Sequence, residues 1–218
     1  MTITLTTDAH ARSEALDLIN RRYAWRGYGA NQKLSGRSNE TTFSAQCNGT
    51  LIGTITLVTD TDRGLAVDQT FPDEMQFFRR KPMARLCELK KFAVEFDKPS
   101  LPYLAALFHF VFIYGTSNLL GTDLFIEVNP RHVLFYERLL AFERVGGLHT
   151  NDSVNAPSQL MWLSVDRIAQ YVAAEGHDAG SRRSLYAYFL SQDEQAELQR
   201  EMVERWQRLF PESYAVAS

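Results

Sequence analysis

The chain has 218 residues, 45% of them hydrophobic and 22% charged, with 23 Lys and Arg against 26 Asp and Glu for a formal net charge of −3. That composition excludes a disordered chain and supplies enough apolar material for one sizeable core. It gives no basic excess for nucleic acid, so any anionic partner has to be met by a local basic patch.

Met1–Glu14 lacks the charged start and continuous apolar run of a signal peptide, so the chain is predicted to be soluble and cytoplasmic. Cys47 and Cys87 fall in separate strand-like segments with no CxxC spacing and no His cluster, which predicts free thiols and no metal site.

Thr2 to Thr7 alternates β-branched and apolar residues and predicts a first strand. Asp8 then caps a helix through Asn20, and Arg21 to Gly36, rich in Arg, Tyr and Gly, reads as an irregular excursion. Thr42–Cys47 and Leu51–Thr59 are β-rich runs separated by Asn48-Gly49, a pair suited to a tight hairpin because both residues tolerate positive φ. Asp60 to Pro82 is a loop with one helical turn at Asp73–Phe78. A strand over Leu86–Phe96, a helix over Leu101–Leu120 closed by Gly121, and a strand over Leu124–Val128 form a βαβ unit with parallel strands.

No Asp, Glu, Lys or Arg occurs from Leu101 to Thr122, and a membrane span needs about 20 mostly apolar residues. Pro102 and Gly115-Thr116-Ser117-Asn118 shorten the strongly apolar part to Tyr103–Tyr114, the length of a buried helix. Apolar residues surround this helix, so either both sides are covered or one lines an apolar cavity.

Asn129-Pro130 opens a short helix over Val133–Leu140, Gly146-Gly147 separates that helix from the next element, and Leu160–Val165 is one more strand. Beyond Gln170 the chain changes character. Gly176–Ser181 is a polar connection, and Ser191–Phe210 predicts a polar helix with a capping box at Ser191 and Glu194. This divides the chain into a main α/β domain over residues 1–168 and a helical appendage over 169–218 packed on it.

Chemistry concentrates between Arg85 and Glu143. On the strand Glu88-Leu89-Lys90-Lys91-Phe92-Ala93-Val94, alternation places Glu88 and Lys90 on the same face as Phe92 and Val94. Charges on a central strand are costly unless paired or opened to a cleft, so Glu88 is either a tuned general base or half of a structural pair with Lys90. His109 and His132 have no ligand-spaced partners.

Val128-Asn129-Pro130-Arg131-His132 followed by a helix bearing Tyr136 and ending Leu139-Leu140-Ala141-Phe142 resembles the closing motif of the GNAT acyltransferase superfamily, with Ala141 where a glycine is usual. Together with Arg22-Tyr23, Arg26-Gly27-Tyr28 and the acidic strand at Glu88, the chain from Ala15 to Leu163 more closely resembles the N-acyl amino acid synthases, relatives of the acyl-homoserine lactone synthases. The resemblance implies a GNAT-like α/β fold with a mixed sheet, and transfer of a long-chain acyl group from a thioester to an amino acid's α-amine. It implies Glu88 as the base, directly or through water, and Tyr136 as the acid that protonates the departing thiolate. Phe92, Ala93, Val94, Lys98, Ser100, Leu101 and Asn129 would line the donor path, with a strand N–H of Phe92–Val94 polarising the carbonyl. Arg22, Tyr23, Trp25 and Arg26 would hold the acceptor, an aromatic surface loop being the plain alternative. Leu104, Phe108 and Phe112 would line an acyl tunnel, or simply be core.

Relatives that use acetyl-CoA carry a glycine-rich turn before the long helix, where backbone N–H groups cradle the pyrophosphate. Here the turn is Asp97-Lys98-Pro99-Ser100-Leu101-Pro102, two prolines and no glycine. An acyl carrier protein is therefore the expected donor, with acyl-CoA the alternative and no permanently bound cofactor. Arg79-Arg80-Lys81, Lys90-Lys91 and Lys98 are the expected landing sites for that acidic carrier. The lipid product is expected to associate peripherally with membranes. The rival readings are an acetyl-CoA-dependent acetyltransferase of small amines and a non-catalytic domain that binds acyl chains or a carrier protein.

Overall fold

The computed structural model describes residues 1–95, 100–175, 184–190, and positions 193, 194, 196, 197 and 200. Among these residues seven strands form one mixed sheet in the order β1-β2-β3-β4-β5-β7-β6. They are β1 (Thr2–Leu5), β2 (Glu40–Cys47), β3 (Thr50–Thr59), β4 (Leu86–Val94), β5 (Asp123–Val128), β6 (Glu143–Asn151) and β7 (Ala156–Ser164). The helices that accompany them are α1 (Ala9–Trp25), α2 (Pro72–Arg79), α3 (Leu101–Leu119), α4 (Val133–Leu140) and α5 (Val165–Glu175).

The hairpin at Asn48-Gly49 forms as predicted, both residues at positive φ (50° and 77°). Asp8 caps α1 by accepting from the Ala11 N–H, but the helix runs to Trp25. The Arg-rich segment thus begins as the last turn of α1, with Leu18 and Ile19 buried against Ala93 of β4.

β4 and β5 are the sheet's parallel pair, joined through α3, with Leu86 opposite Asp123 and Leu89 opposite Ile126. α3 is covered on both sides. One side meets the sheet, and the other meets Leu185, Tyr186 and Phe189, with His109 stacked on Phe189 at 4.2 Å and its Nδ1 accepting from the Leu190 N–H at 3.0 Å. No helix among the described residues is long and apolar enough to cross a membrane.

α3 ends at Leu120, which takes the left-handed conformation at φ 51°. Gly121, the expected terminator, is instead required to be small, because a Cβ there would lie 3.0 Å from Cys87 Sγ. Gly146-Gly147 does not separate elements. The pair forms a bulge inside β6, whose register with β7 shifts between Val145 and Leu148. β6 escapes a periodicity reading because it is an edge strand exposed along nearly all its length. The division after residue 168 falls within α5, and the helix expected over Ser191–Phe210 lies largely outside the described residues.

Candidate active site

A bulge in β4 builds the site. Lys91 takes φ 55°, and the register with β3 shifts between Thr54 and Thr56. The bulge inverts the strand's alternation, so Phe92 and Val94 join the core on the α3 side with Cys87 and Leu89. Glu88 points the other way. This corrects the expectation that all four side chains share one face; an ideal two-residue period holds only up to the bulge.

Beyond the Leu89–Ile126 pair the strands part, although β4 continues to Val94 and β5 to Val128. A cleft of about 370 Å³ opens there, its lining including Glu88, Lys90, Lys91 and Phe92 of β4, Glu127 and Val128 of β5, Asn129, His132 and Tyr136. Tyr23, Arg26 and Tyr28 border it from the end of α1, and Asn151, Ser153 and Ser158 from the β6–β7 hairpin. A second cleft of about 590 Å³ shares Arg26, Phe92, His132 and Tyr136 and adds Arg22, Trp25, Val94, Leu104, Arg131 and Phe135. The first is rich in carboxylate and amide groups; the second has an apolar floor under an arginine rim.

Glu88 is 3% exposed. Its Oε2 accepts from the backbone N–H of Ala66 at 2.7 Å and of Val67 at 3.4 Å, in the 3-10 turn Ala66–Gln69. Burial pushes its pKa up to about 7, against the pull of Lys90 and those N–H groups. The structural pair with Lys90 does not form: Lys90 Nζ bonds Glu40 Oε1 at 2.9 Å instead. Glu88 is thus a buried carboxylate with no ion-pair partner among the described residues, poised near neutrality.

Tyr136 is 6% exposed. Burial, reinforced by Tyr23 and opposed by Arg26, raises its pKa far above the ordinary value, and Tyr23 is pushed up to about 12. Both are therefore protonated and able to donate. Tyr136 sits midway along α4, whose C-cap Ala141 takes φ 56° and whose closing Phe142 N–H donates to the Tyr136 carbonyl. Ala141 thus adopts the backbone for which glycine is preferred. Asn129 Oδ1 accepts from the Arg131 N–H and so starts the turn leading into α4.

Arg26 faces both clefts and makes no ion pair among the described residues. Arg22 lies over the Trp25 ring at 4.8 Å, and Trp25 is 68% exposed, so these two border only the second cleft. Arg131 lies over the Tyr28 ring, donates to its hydroxyl at 3.1 Å, and donates through Nε to His132 Nε2 at 3.2 Å. Burial, Arg26 and Arg131 hold the His132 pKa below its ordinary value, leaving the ring neutral.

The remaining expectations fare unequally. Ala93 is buried under α1, and Ser100 and Leu101 begin α3 without a side-chain cap; Lys98 lies outside the described residues. Leu104 lines the second cleft, whereas Phe108 and Phe112 pack into an aromatic cluster with Phe92 and Phe189. Phe112 also borders a small apolar crevice with Leu57 and Cys87. The expected carrier-landing residues are largely committed elsewhere. Arg79 pairs with Asp60 and Asp68, Lys81 with Asp123, and Lys90 with Glu40. Among the described residues no cluster of His, Cys, Asp or Glu has metal-binding geometry.

Sequence reasoning missed Glu127, Asn151 and Ser158. Glu127 was within reach: once Glu88 pairs with Phe125, position 127 falls on the same face as Glu88. The other two required the unpredicted β6.

The fold is that of the GNAT acyltransferases. FeeM, an N-acyl amino acid synthase from uncultured soil microbes, is similar at 28% identity and a TM-score of 0.69, over 76% of this chain and 96% of that one. The acyl-homoserine lactone synthase LasI is similar at 13% identity and a TM-score of 0.56, over 75% and 89%. An acyl-CoA N-acyltransferase from Pseudomonas aeruginosa is similar at 13% and 0.51, over 74% and 96%. Among curated proteins no sequence matches. The family model described as N-acyl amino acid synthase FeeM matches residues 14–164, and the chain belongs to that family. It is an N-acyltransferase.

Proposed function

We propose that the chain transfers a long-chain fatty acyl group from a phosphopantetheine thioester, presented by an acyl carrier protein, to the α-amine of an amino acid. The observation that carries this reading is Glu88, a carboxylate held near neutrality in the cleft where β4 and β5 part, with Tyr136 on the same lining.

An ammonium group has to lose a proton before its nitrogen can attack. Glu88, ionised above about pH 7, takes that proton directly or through one water. The nitrogen then bonds to the thioester carbonyl carbon, and the oxygen's charge meets a backbone N–H of the Phe92–Val94 stretch, where β4 runs on past its last β5 partner. The adduct collapses by breaking the C–S bond. Tyr136 gives its proton to the leaving sulfur and is restored by the second proton of the attacking nitrogen, so the turnover yields amide, thiol and one released proton.

The two clefts suit two substrates. The apolar floor of Phe92, Val94, Leu104 and Phe135 suits the pantetheine arm and the start of the acyl chain. An amino acid carries amine and carboxylate on one carbon, so its carboxylate anchor belongs beside Glu88; Arg26, lining that cleft without an ion pair, supplies the fork. Arg131, on the rim and without an ion pair among the described residues, offers the landing point for an acidic carrier that Arg79, Lys81 and Lys90 do not.

The test is mass spectrometry of lipid extracts from bacteria expressing the protein, set against Glu88→Gln. New N-acyl amino acids that require Glu88 are expected and would name both chain and acceptor. Their absence from cells with soluble protein would defeat the proposal. Acyl carrier protein and acyl-CoA donors, assayed separately with purified protein, decide the donor.

A further inference from the structure

The cleft holds a carboxylate for which the mechanism has no use. Glu127 lies two positions beyond Phe125, the β5 partner of Glu88, and so projects from the same face of the sheet into the same cleft. Its Oε1 is doubly held from the hairpin, by Asn151 Nδ2 at 2.7 Å and Ser158 Oγ at 2.6 Å. Its Oε2 has no protein partner among the described residues. Glu88 is fixed in the same manner from the opposite wall by Ala66 and Val67. Two anchored carboxylates thus face one space from neighbouring strands, and the cation nearest Glu88 in sequence, Lys90, is spent on Glu40.

A half-buried carboxylate set beside a buried one, neither with an ion-pair partner among the described residues, leaves negative charge that a bound cation would answer. We infer that Glu127 binds the acceptor's ammonium group beside Glu88, selecting a charged amine over a neutral nucleophile, and that the β6–β7 hairpin serves to hold this carboxylate in place. The inference rests on the amine-acylating reading above. It assigns Glu88 to proton removal and Glu127 to positioning. Glu127 also adds to the forces that raise the proton affinity of Glu88. The other charged or titratable groups lining the cleft with Glu88 are Lys90 and Lys91 of β4, Tyr23 of α1, Arg26 at its C-cap, Tyr28, His132, and Tyr136 of α4.

The test is Glu127→Gln, whose amide oxygen can still accept from Asn151 and Ser158. Two measurements apply. Steady-state kinetics on the purified pair should show KM for the amino acid raised at least tenfold, with kcat at saturation changed less than threefold. Titration of 13C-carboxyl-labelled glutamates by NMR without substrate, Glu88 being assigned through Glu88→Gln, should show the Glu88 midpoint lower in Glu127→Gln than in the parent. A purely structural Glu127 would leave the ratio of KM to kcat changes unmoved, whereas the midpoint reports only the charge that Glu127 places beside Glu88. Unchanged KM for the amino acid, whatever the midpoint does, in a protein whose parent acylates amino acids, overturns the inference. A parent that acylates no amino acid overturns the proposed function and the ammonium role with it, while the midpoint still reports whether the two carboxylates interact.

Discussion

Among the described residues a polar cavity larger than the β4–β5 cleft is not the one we assign to chemistry. A cavity of about 870 Å³ is lined by Asp60, Asp62, Arg63, Asp68, Arg79 and Arg85, among others. There the central charges answer one another: Arg79 Nε meets Asp60 at 2.6 Å and its terminal nitrogens meet Asp68, so its guanidinium is held more firmly protonated than usual. The β4–β5 cleft is less than half that size, but Glu88 within it receives two backbone N–H groups and no cation. The difference teaches that charge density does not mark an active site. What marks it is charge left incomplete under burial, because only such a group changes protonation near neutral pH.

The strongest way to break that contrast is Glu88→Gln. Loss of a general base in an amine acylation is expected to lower kcat/KM by about 10²–10⁴, and the parent's kcat/KM should rise with pH to a plateau above about 7. A profile flat from about pH 5.5 to 8.5 would place the base elsewhere. Next comes Tyr136→Phe, expected to lower kcat by about 10–10²-fold with donor KM nearly unchanged, since the ring still fills its place against Phe135 and Phe142. Single-turnover rates equal to the parent's would count against an acid role. The control is Arg79→Met in the other cavity. Removing the shared cation leaves Asp60 and Asp68 facing each other, which should cost about 2 kcal/mol in denaturant melts while kcat/KM stays within twofold.

Much of this contrast was legible beforehand, and the parts that were not share a cause. Glu88 could be singled out as a charge on a central strand, and Tyr136 through the resemblance of the helix after Asn129-Pro130-Arg131 to an acyltransferase motif. The β4 bulge could not: Lys91 at φ 55° leaves no mark on composition, yet it decides which face Phe92 takes. Glu127 depended on register between strands separated by the whole of α3, information that lives in pairing rather than in local periodicity. The ion pairs of Arg79, Lys81 and Lys90 were hidden for the same reason, which is why all three looked available to a partner. Ala141 is the converse case, a residue whose local preference is overruled to hold Tyr136 in place.

The smallest expected effect separates the two cavities by stability alone. The Glu88 pKa is raised in the folded protein from its ordinary 4.5 to about 7, so the folded state binds this proton more tightly than the unfolded state does. Stability from this group is present below about pH 4.5, is lost as pH rises to about 7, and stays lost above it. Glutamine at 88 does not titrate and escapes the loss. Linkage sets the ceiling at about 3 kcal/mol, and the carboxylate's better bonds to Ala66 and Val67 reduce the expected gain to about 1 kcal/mol. The melting temperature of Glu88→Gln relative to the parent should therefore climb between about pH 5 and 7.5 and then level off. Arg79→Met has no such group and should show no matching rise over that window. A difference for Glu88→Gln that does not change with pH would mean that Glu88 is as fully compensated as the aspartates around Arg79, and the physical ground for preferring its cleft would be gone.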